Sequence, residues 1–93
     1  MANKTYLISY DLQKNADYTK LYEAIKTADG WWHYLESFWI ISSSKTLDYW
    51  RDFLRNEINS GDRFIVIEIS EGKTDGWLPQ DAWDWIKKNT CIK

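Results

Sequence analysis

The feature that most restricts the fold is a fifteen-residue run, GWWHYLESFWIISSS, which is largely apolar and is interrupted by the polar pair Glu36-Ser37. Strands usually have three to ten residues, so the run is too long for one ordinary strand. The interruption predicts two strands, Trp31–Leu35 and Phe38–Ser42, joined by a very tight connection. One long bent strand is the competing interpretation.

The segment before this run predicts a strand followed by a helix. Residues 5–12, TYLISYDL, are rich in strand-forming residues, and a polar stretch follows them. The i, i+3, i+4, i+7 spacing of one helix face is then shared by Tyr18, Leu21, Tyr22 and Ile25. Asn15 or Asp17 can cap this helix, and Asp29-Gly30 is expected to end it.

A second helix, a strand and a third helix are predicted after the run. Ser44 or Thr46 can cap the second helix, which Gly61 is expected to close. Its apolar stripe consists of Leu47, Trp50, Leu54 and Ile58. Residues 63–70, RFIVIEIS, form the clearest strand. Pro79 is expected at the first position of a short C-terminal helix marked by Leu78, Ala82, Trp85 and Ile86.

The resulting order, β-α-β-β-α-β plus a terminal helix, predicts an α+β fold of the ferredoxin-like type, with two helices on one face of an antiparallel sheet. We expect one domain over residues 1–93. Alternation along the first strand assigns Tyr6, Ile8, Tyr10 and Leu12 to the core face and places Asp11 on the open face.

The third and fourth predicted strands carry large apolar residues on both faces, whereas a sheet with one face in water normally alternates. Either the C-terminal helix or a second subunit is therefore expected to cover the open face.

Composition restricts partners and location. A net charge of −2 and a pI near 5.3 argue against broad attraction to phosphate backbones but leave room for a local basic patch. Cys91 is the only cysteine, which suits a reducing compartment. The N-terminal MANKTYL lacks the apolar core of a signal peptide, and no run approaches the roughly 20 apolar residues that span a bilayer. We expect a cytoplasmic protein without a membrane partner.

Three short motifs resemble the small CRISPR-associated ferredoxin-like nuclease family. They are Tyr10-Asp11 at the end of the first strand, Ser37-Phe38 in LESFWI, and Asp62 in GDRFIVI. The chain is also similar to the virulence-associated protein D toxins and to the SinR-like small proteins, the latter through TYLISYDL and WWHYLESFWII. The resemblance spans roughly residues 5–70.

The resemblance implies a homodimer packed through its sheets, in which Asp11 faces its symmetry mate and serves as catalytic residue and as ligand of Mg²⁺ or Mn²⁺. The chain also departs from the family. Lys14, Lys20, Lys26 and Glu36 stand in regions where the family usually has arginines, and a helix with Trp83 and Trp85 replaces a fifth strand. The acidic charge and these departures weigh against a nucleic-acid partner.

Each candidate site residue also has a structural interpretation. Two Asp11 carboxylates at a two-fold axis would meet the minimum that Mg²⁺ needs, but an Asp at a strand end also nucleates turns. His33 is the only histidine, which excludes a zinc site of several histidines within one chain, and its place between Trp32 and Tyr34 in an apolar strand favours a packed aromatic over a general base. Ser37 is expected to form structural hydrogen bonds, and Cys91 to be an incidental thiol. No glycine-rich phosphate loop is present, so no nucleotide-cofactor motif is predicted.

The aromatic residues make up 17% of the chain, more than a core of this size can hide. Exposed rings could stack nucleobases, but an interface or structural function is favoured for Phe38, Trp39, Trp83 and Trp85.

Three functional hypotheses follow. The first is a CRISPR-nuclease-like homodimer acting as a weak metal-dependent phosphodiesterase. The second is a catalytically silent dimeric module that binds a protein partner or a small nucleotide. A nucleotide would require a concave, aromatic-lined pocket with donors such as Lys14 or Arg63, whereas a protein partner would require only a large apolar patch beyond the dimer contact. The third is a ribonuclease toxin.

Overall fold

The structure is a computed structural model that describes residues 3–13, 17–69, 73–90 and 92. Asn15, Lys14 and Cys91 therefore lie outside the described residues. The elements follow one another as β1 (Lys4–Asp11), α1 (Thr19–Ile25), β2 (Gly30–Leu35), β3 (Phe38–Ser43), α2 (Leu47–Arg55), β4 (Arg63–Ile69) and α3 (Gln80–Asn89).

The described strands form one antiparallel sheet in the order β2-β3-β1-β4. The fold is therefore α+β, and the order is compatible with a ferredoxin-like arrangement. Leu35 pairs with Phe38 across the predicted tight connection, which confirms two strands rather than one bent strand. β4 is an outer strand of this sheet.

One face of the sheet packs against α1 and α2, as the alternation predicted. Tyr6, Ile8 and Tyr10 of β1 are buried there. They meet side chains from both helices and from β3, namely Leu21, Ala24, Ile25, Trp39, Ile41, Trp50 and Leu54. Burial of each large apolar side chain contributes roughly 1.5–3 kcal/mol, so this layer provides most of the apolar stabilisation.

The opposite face is covered in part by α3. Ala82 and Ile86 of α3 are buried against Trp32 of β2 and Ile40 of β3. The indole Nε1 of Trp32 donates a hydrogen bond of 3.2 Å to the Ala82 carbonyl oxygen. The terminal helix thus covers its own sheet on the β2–β3 side. On β4, Ile65 and Ile67 remain 56% and 47% exposed.

Several predicted boundaries were wrong. α1 ends at Ile25 rather than at Asp29-Gly30, because Gly30 already belongs to β2. α2 ends at Arg55, so Gly61 does not close it; Gly61 instead has φ +95° in the turn before β4. Pro79 precedes the first helical residue of α3. Of the two predicted caps of α2, Thr46 rather than Ser44 occupies the position, since Thr46 Oγ1 accepts a hydrogen bond of 3.1 Å from the Tyr49 backbone N–H.

Candidate functional site

Asp11 is the last residue of β1 and is exposed, and its register partner on β4 is Arg63. Together with neighbouring strand residues, both line a shallow depression of about 300 Å³. Asp11 is therefore accessible at the end of β1, and its neighbour across the sheet is a guanidinium-bearing residue.

The described part of the chain does not by itself contain the ligand set of a metal ion. Among the residues that the structure describes, no group of three or more His, Cys, Asp or Glu side chains could hold a metal ion. The predicted site consists of two Asp11 carboxylates at a two-fold axis, and one chain supplies only one of them. Asp11 as a catalytic residue and metal ligand, and Mg²⁺ or Mn²⁺ as cofactor, stay predictions that require a second copy.

The turn after β1 is held by Asp62, a function that the sequence interpretation had considered only for Asp11. Asp62 Oδ1 accepts hydrogen bonds from the Tyr18 hydroxyl at 2.7 Å and the Gln13 backbone N–H at 3.0 Å. Its Oδ2 accepts one from the Asn59 N–H at 2.8 Å. Burial acts to raise the pKa of Asp62, but these hydrogen bonds to the ionised carboxylate lower it overall.

The residues at the β2–β3 connection have structural contacts. Ser37 is exposed, and its carbonyl oxygen accepts a hydrogen bond of 3.3 Å from the Tyr10 N–H. Phe38 is half-buried and meets the Trp32 ring edge to face. Trp39 is 1% exposed, and its indole Nε1 donates to the Tyr10 hydroxyl at 2.9 Å.

The remaining aromatic candidates also pack within the domain. His33 stacks on Trp39 with ring centroids 3.8 Å apart and planes 5° from parallel. Trp83 and Trp85 are half-buried against the layer between α3 and the sheet. Trp77, which no motif had singled out, is fully exposed.

A cluster of arginines is the feature that the sequence interpretation missed. The chain has three arginines, and all of them line one depression of about 540 Å³. We name it the arginine groove; its lining consists of Arg51, Arg55, Ile58, Asp62, Arg63 and Phe64. It shares Arg63 and Phe64 with the depression beside Asp11.

Local structure explains how the groove forms. Arg51 and Arg55 are four residues apart on α2, a spacing that places both on one helix face. Arg63 begins β4, which follows α2 after a turn and packs against it. The i, i+4 pair on a predicted helix was a visible signal, but only the packing of α2 on β4 brings Arg63 to it.

The three guanidinium groups differ in their ion pairs. Arg51 Nε lies 2.9 Å from Asp52 Oδ1, and its Nη1 lies 3.5 Å from Asp48 Oδ1. The hydrogen bond with Asp52, followed by the attraction of both carboxylates, raises the pKa of Arg51. Within the described ranges, Arg55 and Arg63 form no ion pair, so two guanidinium groups remain available to an anion.

Comparisons with protein-family models, with curated proteins and with solved structures find no match to this chain. The resemblance to the CRISPR-associated family thus stays a prediction from short motifs. None of the helices in the described part of the chain has the length and apolar content needed to cross a membrane.

Proposed function

We propose that this domain binds the phosphate groups of a nucleotide or of a single-stranded nucleic acid in the arginine groove. The observation that carries the proposal is the convergence of Arg55 and Arg63 with the ring of Phe64 in one depression, where neither arginine forms an ion pair with a described residue. Guanidinium groups bind phosphate oxygens in pairs of parallel hydrogen bonds, and an aromatic ring can stack a base.

The charge of the protein sets the strength of this binding. With a net charge of −2, no general attraction to polyanions assists the two available arginines. Binding is therefore expected to be weak, local and dependent on salt. For single strands, log K falls with log salt by about 0.7 per phosphate contact, so two contacts give a slope of about −1.4.

Fluorescence anisotropy with labelled single-stranded RNA and DNA at several salt concentrations tests the proposal. We expect Arg55→Gln and Arg63→Gln each to weaken binding. Each should also make the dependence of log K on log salt less steep by about 0.7. Lys87→Gln and Lys88→Gln, in the last turn of α3, are matched controls that remove a positive charge outside the groove. Equal losses in the control variants, or no loss in the groove variants, would contradict binding in the groove.

Hydrolysis at Asp11 is the second candidate. It is favoured by the register of β1 and β4, in which Asp11 pairs with Arg63 of the groove. A phosphate held by Arg63 would thus lie close to the Asp11 carboxylate. The predicted metal site uses Asp11 from each of two subunits, so this activity requires the proposed homodimer.

Cleavage of labelled RNA and duplex DNA, with Mg²⁺ or Mn²⁺ and with EDTA, checks this candidate. Hydrolysis predicts cleavage that EDTA abolishes, that Asp11→Asn loses, and that the matched control Asp84→Asn on α3 retains. If the protein acts as a ribonuclease toxin, expression arrests growth and Asp11→Asn relieves the arrest. Equal cleavage by wild type and Asp11→Asn would leave phosphate binding without catalysis as the function.

A homodimer of ferredoxin-like domains, related to the CRISPR-associated nucleases, is the assembly that we propose for either candidate. It is supported by the strand order, in which β4 is an outer strand, and by the exposure of Ile65 and Ile67. Exposed edges and apolar patches of this kind are common at protein interfaces. A protein partner at the same surface is the alternative occupant.

A further inference from the structure

A second concavity lies between α3 and the sheet, and it shares no residue with the arginine groove. The strands contribute Leu7, Trp32 and Phe38 to its wall, and α3 contributes Trp83 and Ile86. Its volume is about 250 Å³. The lining from the sheet and from α3 is entirely apolar, so the interior presents aromatic and aliphatic surface only.

The polar lining residues come from one short segment. Residues 73–78 contribute Lys73, Thr74, Asp75 and Leu78 to the lining. Lys73 and Asp75 are exposed, which places an ammonium group and a carboxylate at the mouth. Asp75 Oδ1 accepts a hydrogen bond of 2.8 Å from the Gly76 N–H, which orients its carboxylate.

The volume restricts the size of an occupant. An apolar cavity of roughly 150 Å³ stays dry and admits benzene, whereas pockets for drug-sized ligands have roughly 300–1,000 Å³. A cavity of about 250 Å³ lies between these limits. It suits a group somewhat larger than a benzene ring, and the apolar wall favours a hydrocarbon side chain.

The charges at the mouth restrict the chemistry of the occupant. A ligand with only a carboxylate would be attracted by Lys73 and repelled by Asp75. A ligand with only an ammonium group would be attracted by Asp75 and repelled by Lys73. A molecule with both an ammonium and a carboxylate matches both residues. We propose that this cavity binds a free α-amino acid with a large apolar side chain. The side chain enters the cavity, Lys73 binds the carboxylate, and Asp75 binds the ammonium group.

A series of matched ligands tests the proposal on the full chain. L-phenylalanine is compared with 3-phenylpropanoate, which lacks the ammonium group, with 2-phenylethylamine, which lacks the carboxylate, and with ethylbenzene. Fluorescence of the lining residues Trp32 and Trp83 reports binding, and amide chemical shifts locate it. We expect L-phenylalanine to bind about tenfold more tightly than any of the three, as each charge-assisted hydrogen bond allows.

Two exposed substitutions separate the two contacts without disturbing the core. Lys73→Gln should weaken the binding of L-phenylalanine and of 3-phenylpropanoate, which have a carboxylate, but not the binding of 2-phenylethylamine. Asp75→Asn should weaken the binding of L-phenylalanine and of 2-phenylethylamine, which have an ammonium group, but not the binding of 3-phenylpropanoate. Lys88→Gln serves as the charge control and should change none of them.

A third variant tests the location. Leu35 lines the cavity and is 48% exposed, so Leu35→Trp fills the space without burying new surface in the core. It should abolish binding, whereas Leu47→Trp, at a 37% exposed leucine of α2, should not.

Ethylbenzene binding as tightly as L-phenylalanine would overturn the ligand class. Absence of binding by every ligand, or retained binding in Leu35→Trp, would overturn the site. Since the cavity is separate from the arginine groove, neither outcome bears on phosphate binding.

Discussion

At the scale of single residues, two aspartates of the resemblance motifs differ in what surrounds them. Asp62 accepts hydrogen bonds from three groups, two of them far away in sequence, and so joins the turn before β4 to the segment after β1. Asp11 is exposed beside Arg63. The network of Asp62 indicates a structural function, whereas the surroundings of Asp11 leave its carboxylate accessible to a ligand.

The lowered pKa of Asp62 predicts a contribution to acid sensitivity. A carboxylate with a lowered folded-state pKa adds stability above the ordinary value of 3.8, and this stability is lost as the pH falls through the folded value. In melting experiments from about pH 5 to about pH 2, wild type should therefore lose stability more steeply than Asp62→Asn, which should melt lower at neutral pH.

The loss of stability at acidic pH should be reduced rather than abolished in Asp62→Asn, because hydrogen bonds also lower the pKa of Asp17 and Asp52. Tyr18→Phe, which removes one donor to Asp62, should show an intermediate acid dependence. An unchanged acid dependence in Asp62→Asn would contradict a stabilising function of this carboxylate.

At the scale of elements, α3 gives the domain a second apolar layer. Its residues Ala82 and Ile86 are 0% and 2% exposed, and Trp32 is joined to its backbone by a hydrogen bond. A Cβ atom at Gly30 would lie 3.3 Å from Cζ2 of Trp85, which shows how closely α3 approaches β2. The helix is thus integrated into the core rather than attached at the surface.

Truncation of a buried α3 side chain should therefore lower the free energy of unfolding. Ile86→Ala removes apolar surface and leaves a cavity, for which we expect a loss of about 2–4 kcal/mol in chemical denaturation. Leu47→Ala, at a partly exposed position of α2, should cost less than about 1 kcal/mol. If both variants lose the same small amount, α3 does not stabilise the sheet.

At the scale of the whole molecule, the part of the sheet that α3 leaves uncovered predicts self-association. Ile65 and Ile67 lie on the outer strand, and Trp77 is fully exposed in the segment before α3. Packing of two such sheets face to face about a two-fold axis would bury Ile65 and Ile67 of both copies, and Asp11 lies on the same face of the sheet. Such a two-fold contact buries the same patch on both subunits.

Ile67→Lys should convert a dimer into a monomer in sedimentation equilibrium, because the substitution places like charges in a two-fold apolar contact. Leu47→Lys adds the same charge at an exposed leucine of α2 and should leave the dimer unchanged. A monomeric wild type at all concentrations would argue against the dimer and therefore against hydrolysis that needs two Asp11 residues.

The sequence by itself determined the elements and most of their faces. The interruption at Glu36-Ser37 predicted the hairpin, the period-two pattern assigned Tyr6 and Ile8 to the core, and a cap at Ser44 or Thr46 marked the start of α2. These features depend on local backbone preferences and on the alternation of side chains, which a short stretch of sequence contains in full.

Only the tertiary structure decided what covers the open face, which aspartate holds the turn, and where the arginines meet. Trp32 and Ala82 are 50 positions apart, and Gln13 and Asp62 are 49 apart. Nothing in the local pattern around either partner specifies such a contact, because it forms only when α3 or the start of β4 packs against the remainder of the chain. The arginine groove has the same origin: α2 places two guanidinium groups on one face, and the packing of β4 adds the third.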